Sequence, residues 1–157
     1  GLSGQWKGFD FAMNFNFMLD FDVNNATRLY ATQTNTQRRN QLAEVADRWS
    51  PTNASNKVPR YNGYVVNDVY SRFVEDGSFL RLKNITLGYT LPHKWTRSFH
   101  VSKLRVYATG QNLFCLNNYS GYDPEVSTAS KSPMTPGLDW GAYPKSRVFT
   151  FGIDLQF

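Results

Sequence analysis

Between Phe9 and Phe21 every odd position carries a large apolar side chain (Phe9, Phe11, Met13, Phe15, Phe17, Leu19, Phe21), while Asp10, Asn14, Asn16 and Asp20 occupy even ones. Side chains of an extended chain point alternately to opposite faces, so this stretch builds a strand with one apolar and one wet side; a helix would mix the two sets. The final residues repeat the pattern, with Phe149, Phe151, Ile153, Leu155 and Phe157 on one side and Thr150, Gly152, Asp154 and Gln156 on the other. A weaker version runs from Leu104 through Val106, Ala108 and Gly110. A fourth runs from Phe79 to Leu91 but changes phase, from Leu80 and Leu82 to Ile85, Leu87 and Tyr89. One extra residue at Lys83 or Asn84 restores a single apolar face, which predicts a β-bulge there.

The expected strands therefore lie near residues 6–21, 79–91, 104–114 and 147–157. The connections between them run long, short, long: 22–78, 92–103 and 115–146. Compact soluble domains join elements through about 4–6 residues, whereas outer-membrane barrels alternate long extracellular loops with short periplasmic turns. With 92–103 as a periplasmic turn, the C-terminus is expected on the periplasmic side. The long segments carry turn chemistry: Asn24-Asn25, Ser50-Pro51, Asn62-Gly63, Ser120-Gly121, Asp123-Pro124 and Tyr143-Pro144. Within the first, Thr36 to Trp49 has near-helical spacing of Leu42, Val45, Ala46 and Trp49 and is expected to form a short helix.

Composition narrows the class. The 157 residues include 12 Phe, 9 Tyr and 4 Trp, too aromatic for a disordered, collagenous or coiled-coil chain. A mean hydropathy of −0.49 and the lack of a long apolar run exclude a helical membrane span but not a barrel, whose alternating strands average out. Cys115 is the single cysteine, so it makes no internal disulfide. A chain opening on Gly1 without a leader or start Met reads as processed or cut from something larger. The net charge of +5 raises nucleic acid as a partner, but Lys94, Arg97, His100, Lys103 and Arg105 cluster at a turn between membrane-like strands and without an interleaved stacking pattern; solvent or lipid headgroups suit them better. His93 and His100 fall in the same turn, and neither a phosphate loop nor a nucleophile elbow is present, so the chain does not read as an enzyme.

Several words in this order resemble the C-terminal region of the SusC/RagA-like TonB-dependent transporters of Bacteroidetes outer membranes. They are Val74-Glu75-Asp76-Gly77-Ser78-Phe79-Leu80-Arg81-Leu82-Lys83-Asn84-Ile85-Thr86-Leu87-Gly88-Tyr89-Thr90-Leu91-Pro92, then Leu104-Arg105-Val106-Tyr107, Gly110-Gln111-Asn112-Leu113-Phe114, Tyr119-Ser120-Gly121-Tyr122-Asp123-Pro124-Glu125-Val126, Gly137-Leu138-Asp139, Tyr143-Pro144 and the closing Phe149 to Phe157. Trp6-Lys7-Gly8-Phe9-Asp10, Arg48-Trp49 and Pro59-Arg60 match upstream. The resemblance implies an all-β chain supplying the C-terminal four strands of a transmembrane antiparallel barrel of about 22 strands with long extracellular loops. It also implies TonB-dependent import of glycan or peptide oligomers. The implied partners are the rest of the barrel and its plug, a SusD-like surface lipoprotein, TonB through segments outside this sequence, the oligomeric substrate and outer-membrane lipid. No cofactor or metal is implied.

In that reading Phe9, Phe11, Met13, Phe15, Phe17, Leu19, Phe151, Ile153 and Leu155 face lipid, while Asp10, Asn14, Asn16, Arg81, Arg105, Tyr107, Thr109, Gln111, Thr150 and Asp154 face the lumen. Trp6, Tyr89, Trp95 and Phe157 join an interfacial aromatic girdle. Gly152, Leu155 and Phe157 resemble the C-terminal assembly signal of such barrels. Among loop residues, Tyr61, Tyr64, Tyr122, Asp123, Trp140 and Tyr143 are the candidate ligand or lid contacts, with Tyr70 and Tyr119 also possible by type, because aromatic faces stack on sugar C–H surfaces and polar groups take hydroxyl hydrogen bonds. Asp123-Pro124-Glu125 reads first as a turn. From the residues alone a soluble carbohydrate-binding β-sandwich remains the alternative, and an outer-membrane barrel enzyme a third.

Overall fold

A computed structural model describes residues 1–34, 40–63, 70–126 and 137–157. The chain divides into two units, Gly1–Leu19 with Phe79–Asn117 and Lys145–Phe157, and Asp20–Ser78 with Asn118–Pro144.

The first unit is a five-stranded antiparallel sheet of β1 (Leu2–Trp6), β2 (Phe9–Met18), β5 (Phe79–Thr90), β6 (Lys103–Asn117) and β8 (Val148–Gln156), paired in that order. The expectation of one strand over 6–21 needs correction. It is broken at Lys7-Gly8, where φ is +47° and +90°, the conformation of a two-residue hairpin turn, and β1 precedes it. Strand β1 escapes sequence reading because Leu2-Ser3-Gly4-Gln5-Trp6 has Gly4 in the middle of its apolar side. Strand β2 ends at Met18, short of Phe21.

The bulge lies at Lys83. On β5 the register passes from Asn84 opposite Asn14 to Leu82 opposite Phe15, skipping Lys83, and the same step interrupts pairing with β6. This phase change lets the sheet keep one apolar side along its length. The register stacks Trp6, Phe9, Tyr89, Val106 and Ile153 in one cross-strand row and Gly4, Phe11, Leu87, Ala108 and Phe151 in the next. Beyond the bulge, Phe15–Leu82–Phe114 and Phe17–Leu80–Leu116 continue the series. Most of the large side chains in these rows are uncovered, Phe17 at 66% and Phe151 at 79% exposure, whereas Leu82 beside the bulge is buried.

The second unit has its apolar residues inside. Strand β3 (Asp22–Asn25) pairs antiparallel with β4 (Val74–Asp76) and parallel with β7 (Leu138–Asp139), and Val23, Phe73, Val45 and Val58 are buried. Helix α1 (Ala26–Thr32) follows β3 directly. Asn25 caps it by accepting the Arg28 amide on Oδ1 at 2.9 Å. The helix expected over Thr36–Trp49 is corrected to a short 3₁₀ turn at Ala43–Asp47; residues 35–39 lie outside the described residues. In the first unit α2 (His93–Thr96) and a 3₁₀ turn (Arg97–Phe99) occupy the β5–β6 connection.

Among the described residues no helix is long and apolar enough to cross a membrane.

Candidate functional site

On the sheet's second side, polar residues line up in rows and satisfy one another. Arg105 on β6 donates from Nε and Nη2 to the two carboxylate oxygens of Asp10, at 2.9 and 2.6 Å, and from Nη1 to Asp154 at 2.9 Å. This cation therefore ties three strands, and its guanidinium lies 5.0 Å from the Tyr107 ring centre. Asn14 Nδ2 donates to Asn84 at 2.8 Å, and the hydroxyls of Thr86 and Thr109 are 2.9 Å apart. A fork of donors meeting two carboxylates is geometrically specific, which suits a polar wall facing water better than a dry core.

The residues read as an assembly signal are placed on β8 and just beyond it. Gly152 sits opposite Tyr107, and a Cβ there would run into the tyrosine ring, so a packing requirement accounts for that glycine directly. Leu155 is 55% exposed on the apolar side, opposite Leu104, and Phe157 is exposed.

In the second unit, the side chains around α1 form a dense ionic network. Arg28 makes paired hydrogen bonds to Glu44 at 3.0 and 2.9 Å and reaches Glu75 at 3.3 Å. Glu75 also accepts from the Ser120 hydroxyl at 2.8 Å, the Ser120 amide at 2.9 Å and Asn25 Nδ2 at 3.2 Å. The Arg28 hydrogen bond holds the Glu44 carboxyl below its usual range. Burial opposes charge on Glu75, but the donors from Ser120, Arg28 and Asn25 outweigh it, and that carboxyl is lowered too. Tyr119 is buried and donates to Asp139 Oδ2 at 2.7 Å; burial first, then this acidic partner, pushes its phenol up. Sequence reasoning missed this network because its members are single residues far apart in the chain.

Of the candidate contacts, Tyr122 is 76% exposed and edges an open recess of about 400 Å³ lined also by Thr27, Arg28, Leu42 and Ser120. Trp140 packs against Tyr30, ring centres 5.7 Å apart, and remains exposed. Tyr143 and Tyr61 are exposed as well. Asp123 is buried, and its Oδ1 accepts the Glu125 amide at 2.9 Å, the turn geometry that presents Tyr122. Tyr119 is corrected from surface contact to interior strut. Tyr64 lies outside the described residues.

No protein-family model matches the chain. It is 34% identical over 98% of its length to TonB-dependent receptor P3 of Formosa agariphila, of which it spans 15%, and 33% identical over 97% of its length to receptor P26 of the same organism, of which it spans 16%. The chain is homologous to the SusC/RagA-like TonB-dependent receptors. TonB-dependent receptor SusC of Bacteroides thetaiotaomicron matches at 42% identity over 54% of the chain and 8% of the receptor. Among solved structures, the RagAB peptide transporter superposes with a TM-score of 0.82 at 26% identity, over 98% of this chain and 16% of the transporter's. These relatives are TonB-dependent receptors and a peptide transporter. The chain therefore spans about a sixth or less of the length of the relatives it matches.

Proposed function

We propose that the chain is the C-terminal wall and two extracellular loops of an outer-membrane β-barrel importing glycan or peptide oligomers in a TonB-dependent manner. The observation that carries this reading is the sheet: row after row of uncovered Phe, Leu and Ile on one side and an ion-paired, hydroxyl-rich surface on the other. Hydrocarbon on the first side and water or a plug on the second would satisfy both, and the described strands of 9 to 15 residues are long enough to cross when tilted. Isolated, such a sheet would leave open edges in lipid, so its partners are the remaining strands and plug of the same receptor. The soluble sandwich alternative needs a cover over the phenylalanines, and Phe17 and Phe151 have none.

In this reading the hairpin turn Lys7-Gly8 and the 91–102 connection lie in the periplasm with the C-terminus. Gly152, Leu155 and Phe157 serve insertion. Tyr61, Tyr122, Trp140 and Tyr143 meet substrate or a SusD-like lipoprotein lid, and TonB acts through segments outside this sequence. Asn and Asp beside exposed aromatics favour carbohydrate, while the structurally similar RagAB is a peptide transporter.

Two measurements test the reading. The complete receptor should require detergent and should lose uptake of one oligomeric nutrient when its gene is deleted. Free solubility, or undiminished growth on every candidate oligomer, would overturn it.

A further inference from the structure

The β5–β6 connection carries more chemistry than a solvated turn needs. From Gly77 to Tyr122 the sequence has no Asp or Glu, yet it holds Arg81, Lys83, Lys94, Arg97, Lys103 and Arg105. Lys94 and Arg97 are exposed on the helical segment, and among the described residues neither has an ion-pair partner. Lys103 shares a neighbouring recess with Asp10, whose carboxylate Arg105 already occupies. Lys7 stands at the same end, because the Thr90 amide donates to the Gly8 carbonyl at 2.8 Å.

The same connection carries two uncovered rings, Trp95 at 63% and Phe99 at 76% exposure, too few for a stacking pattern but enough to wall a recess. They wall an apolar recess of about 260 Å³, completed by Leu91, Thr96, Val101 and Leu104. The Leu91 amide donates to the Leu104 carbonyl at 2.9 Å, and Leu104 pairs with Leu155. Leu91 and Leu104 continue the apolar rows of β5 and β6, so the recess sits at the turn end of the sheet's apolar side.

We propose that this recess binds an anionic glycerophospholipid, with part of an acyl chain against Leu91, Trp95, Phe99 and Leu104 and the phosphate between Lys94 and Arg97. The inference rests on the membrane reading of the sheet and adds to it a lipid preference. Charge complementarity selects the class. An ethanolamine headgroup would bring its ammonium beside the exposed cations Lys94 and Arg97, whereas phosphatidylglycerol brings a phosphate with no cation of its own. Size selects a lipid over a protein: six residues line the recess, whereas a stable protein interface engages roughly 20–30 residues a side. Tryptophan and phenylalanine beside lysine and arginine also suit the depth where acyl chains meet headgroups.

The test uses the complete receptor in nanodiscs of equimolar phosphatidylethanolamine and phosphatidylglycerol, released for native mass spectrometry. Phosphatidylglycerol should be retained over phosphatidylethanolamine by about tenfold, as expected for two cations beside an anionic headgroup. Lys94→Gln with Arg97→Gln should abolish the preference, whereas Lys94→Arg with Arg97→Lys should keep it. Trp95→Ala should reduce retention of both lipids. Heat-modifiable gel mobility confirms that each variant is folded; where the Gln pair does not fold, the Trp95→Ala and charge-keeping variants decide, and unchanged retention in Trp95→Ala overturns the site. Equal retention of the two lipids, or a preference untouched by the Gln pair, overturns the inference while leaving the barrel reading intact. A receptor that never enters the bilayer overturns the barrel reading itself.

Discussion

The two units order their side chains in opposite ways. In the sheet of β1, β2, β5, β6 and β8, Phe9, Phe17 and Phe151 are uncovered while Asp10, Arg105 and Asp154 hold one another on the other side. In the unit built on β3, β4 and β7, Val23, Phe73 and Val58 are buried, and tyrosines with Trp49 and Trp140 decorate the exterior. Hydrophobic burial is driven by removal of apolar surface from water, so one chain showing both orders in water would be inconsistent. The proposed function resolves the difference through the solvent: hydrocarbon around the sheet, water around the loops.

The largest effect should come from testing that solvent directly. Phe151 lies in a cross-strand row away from the strand ends, with Phe11 and Leu87. Phe151→Arg should destabilise the receptor in a bilayer by about 2–4 kcal/mol, the cost of a cation near the midplane of a barrel's lipid face. Denaturant titration in liposomes measures it. A side chain this exposed that faced water would change stability by less than about 0.5 kcal/mol, and that result would erase the contrast between the units.

Next in size is the packing of Tyr107 over Gly152. Gly152→Val would place its side chain where the ring lies, and overpacking of this kind costs about 1–3 kcal/mol. Adding Tyr107→Ala should return part of the loss. No rescue would assign Gly152 to insertion signalling rather than to packing. Folded yield in membranes, read by heat-modifiable mobility, separates the two.

The loop unit should answer to acid and to loss of Arg28. Arg28→Ala leaves Glu75 without its guanidinium and Glu44 with Arg72 alone, at 3.5 Å, and should cost about 1–2 kcal/mol, seen as faster proteolysis within 20–78. Both carboxyls have folded values below the 4.5 of the free side chain. Their contribution is therefore fully present above about pH 4.5 and is lost as pH falls through the lowered folded values. Protease resistance of these loops should be flat from neutral pH down to that point and decline below it, and Arg28→Ala should flatten the decline. An unchanged acid profile in the variant would show that the network does not hold the loops.

The contrast also explains what was readable beforehand. A strand with one apolar side announces itself every second residue, so β2, β5, β6, β8 and the Lys83 phase change could be read from Phe, Leu and Ile positions alone. Strand β1 could not, because Gly4 leaves a gap in a five-residue pattern. In the loop unit Asn24-Asn25 looked like a turn, whereas Asn25 caps α1, since the same short amide serves both purposes. Asp139 bonding to Tyr119, and Glu75 to Ser120, join residues 20 and 45 positions apart, and nothing local signals such pairs. The turn at Asp123 was legible because an Asx turn is made within three residues.

The smallest effect concerns the exposed rings. Trp140 and Tyr122 are uncovered and carry little of the loop unit's packing, so Trp140→Ala and Tyr122→Ala should leave protease resistance within about 0.5 kcal/mol of the parent. If these rings stack on substrate, each truncation should raise the half-saturating oligomer concentration by about 2- to 10-fold, corresponding to the roughly 0.5–1.5 kcal/mol of an aromatic contact. If they meet a lipoprotein lid instead, uptake should fall at every concentration while co-purification of the lid weakens. Unchanged uptake and unchanged co-purification in the double variant would confine the role of these side chains to the loop surface, and the polar network beneath them would then serve only to keep the loops folded.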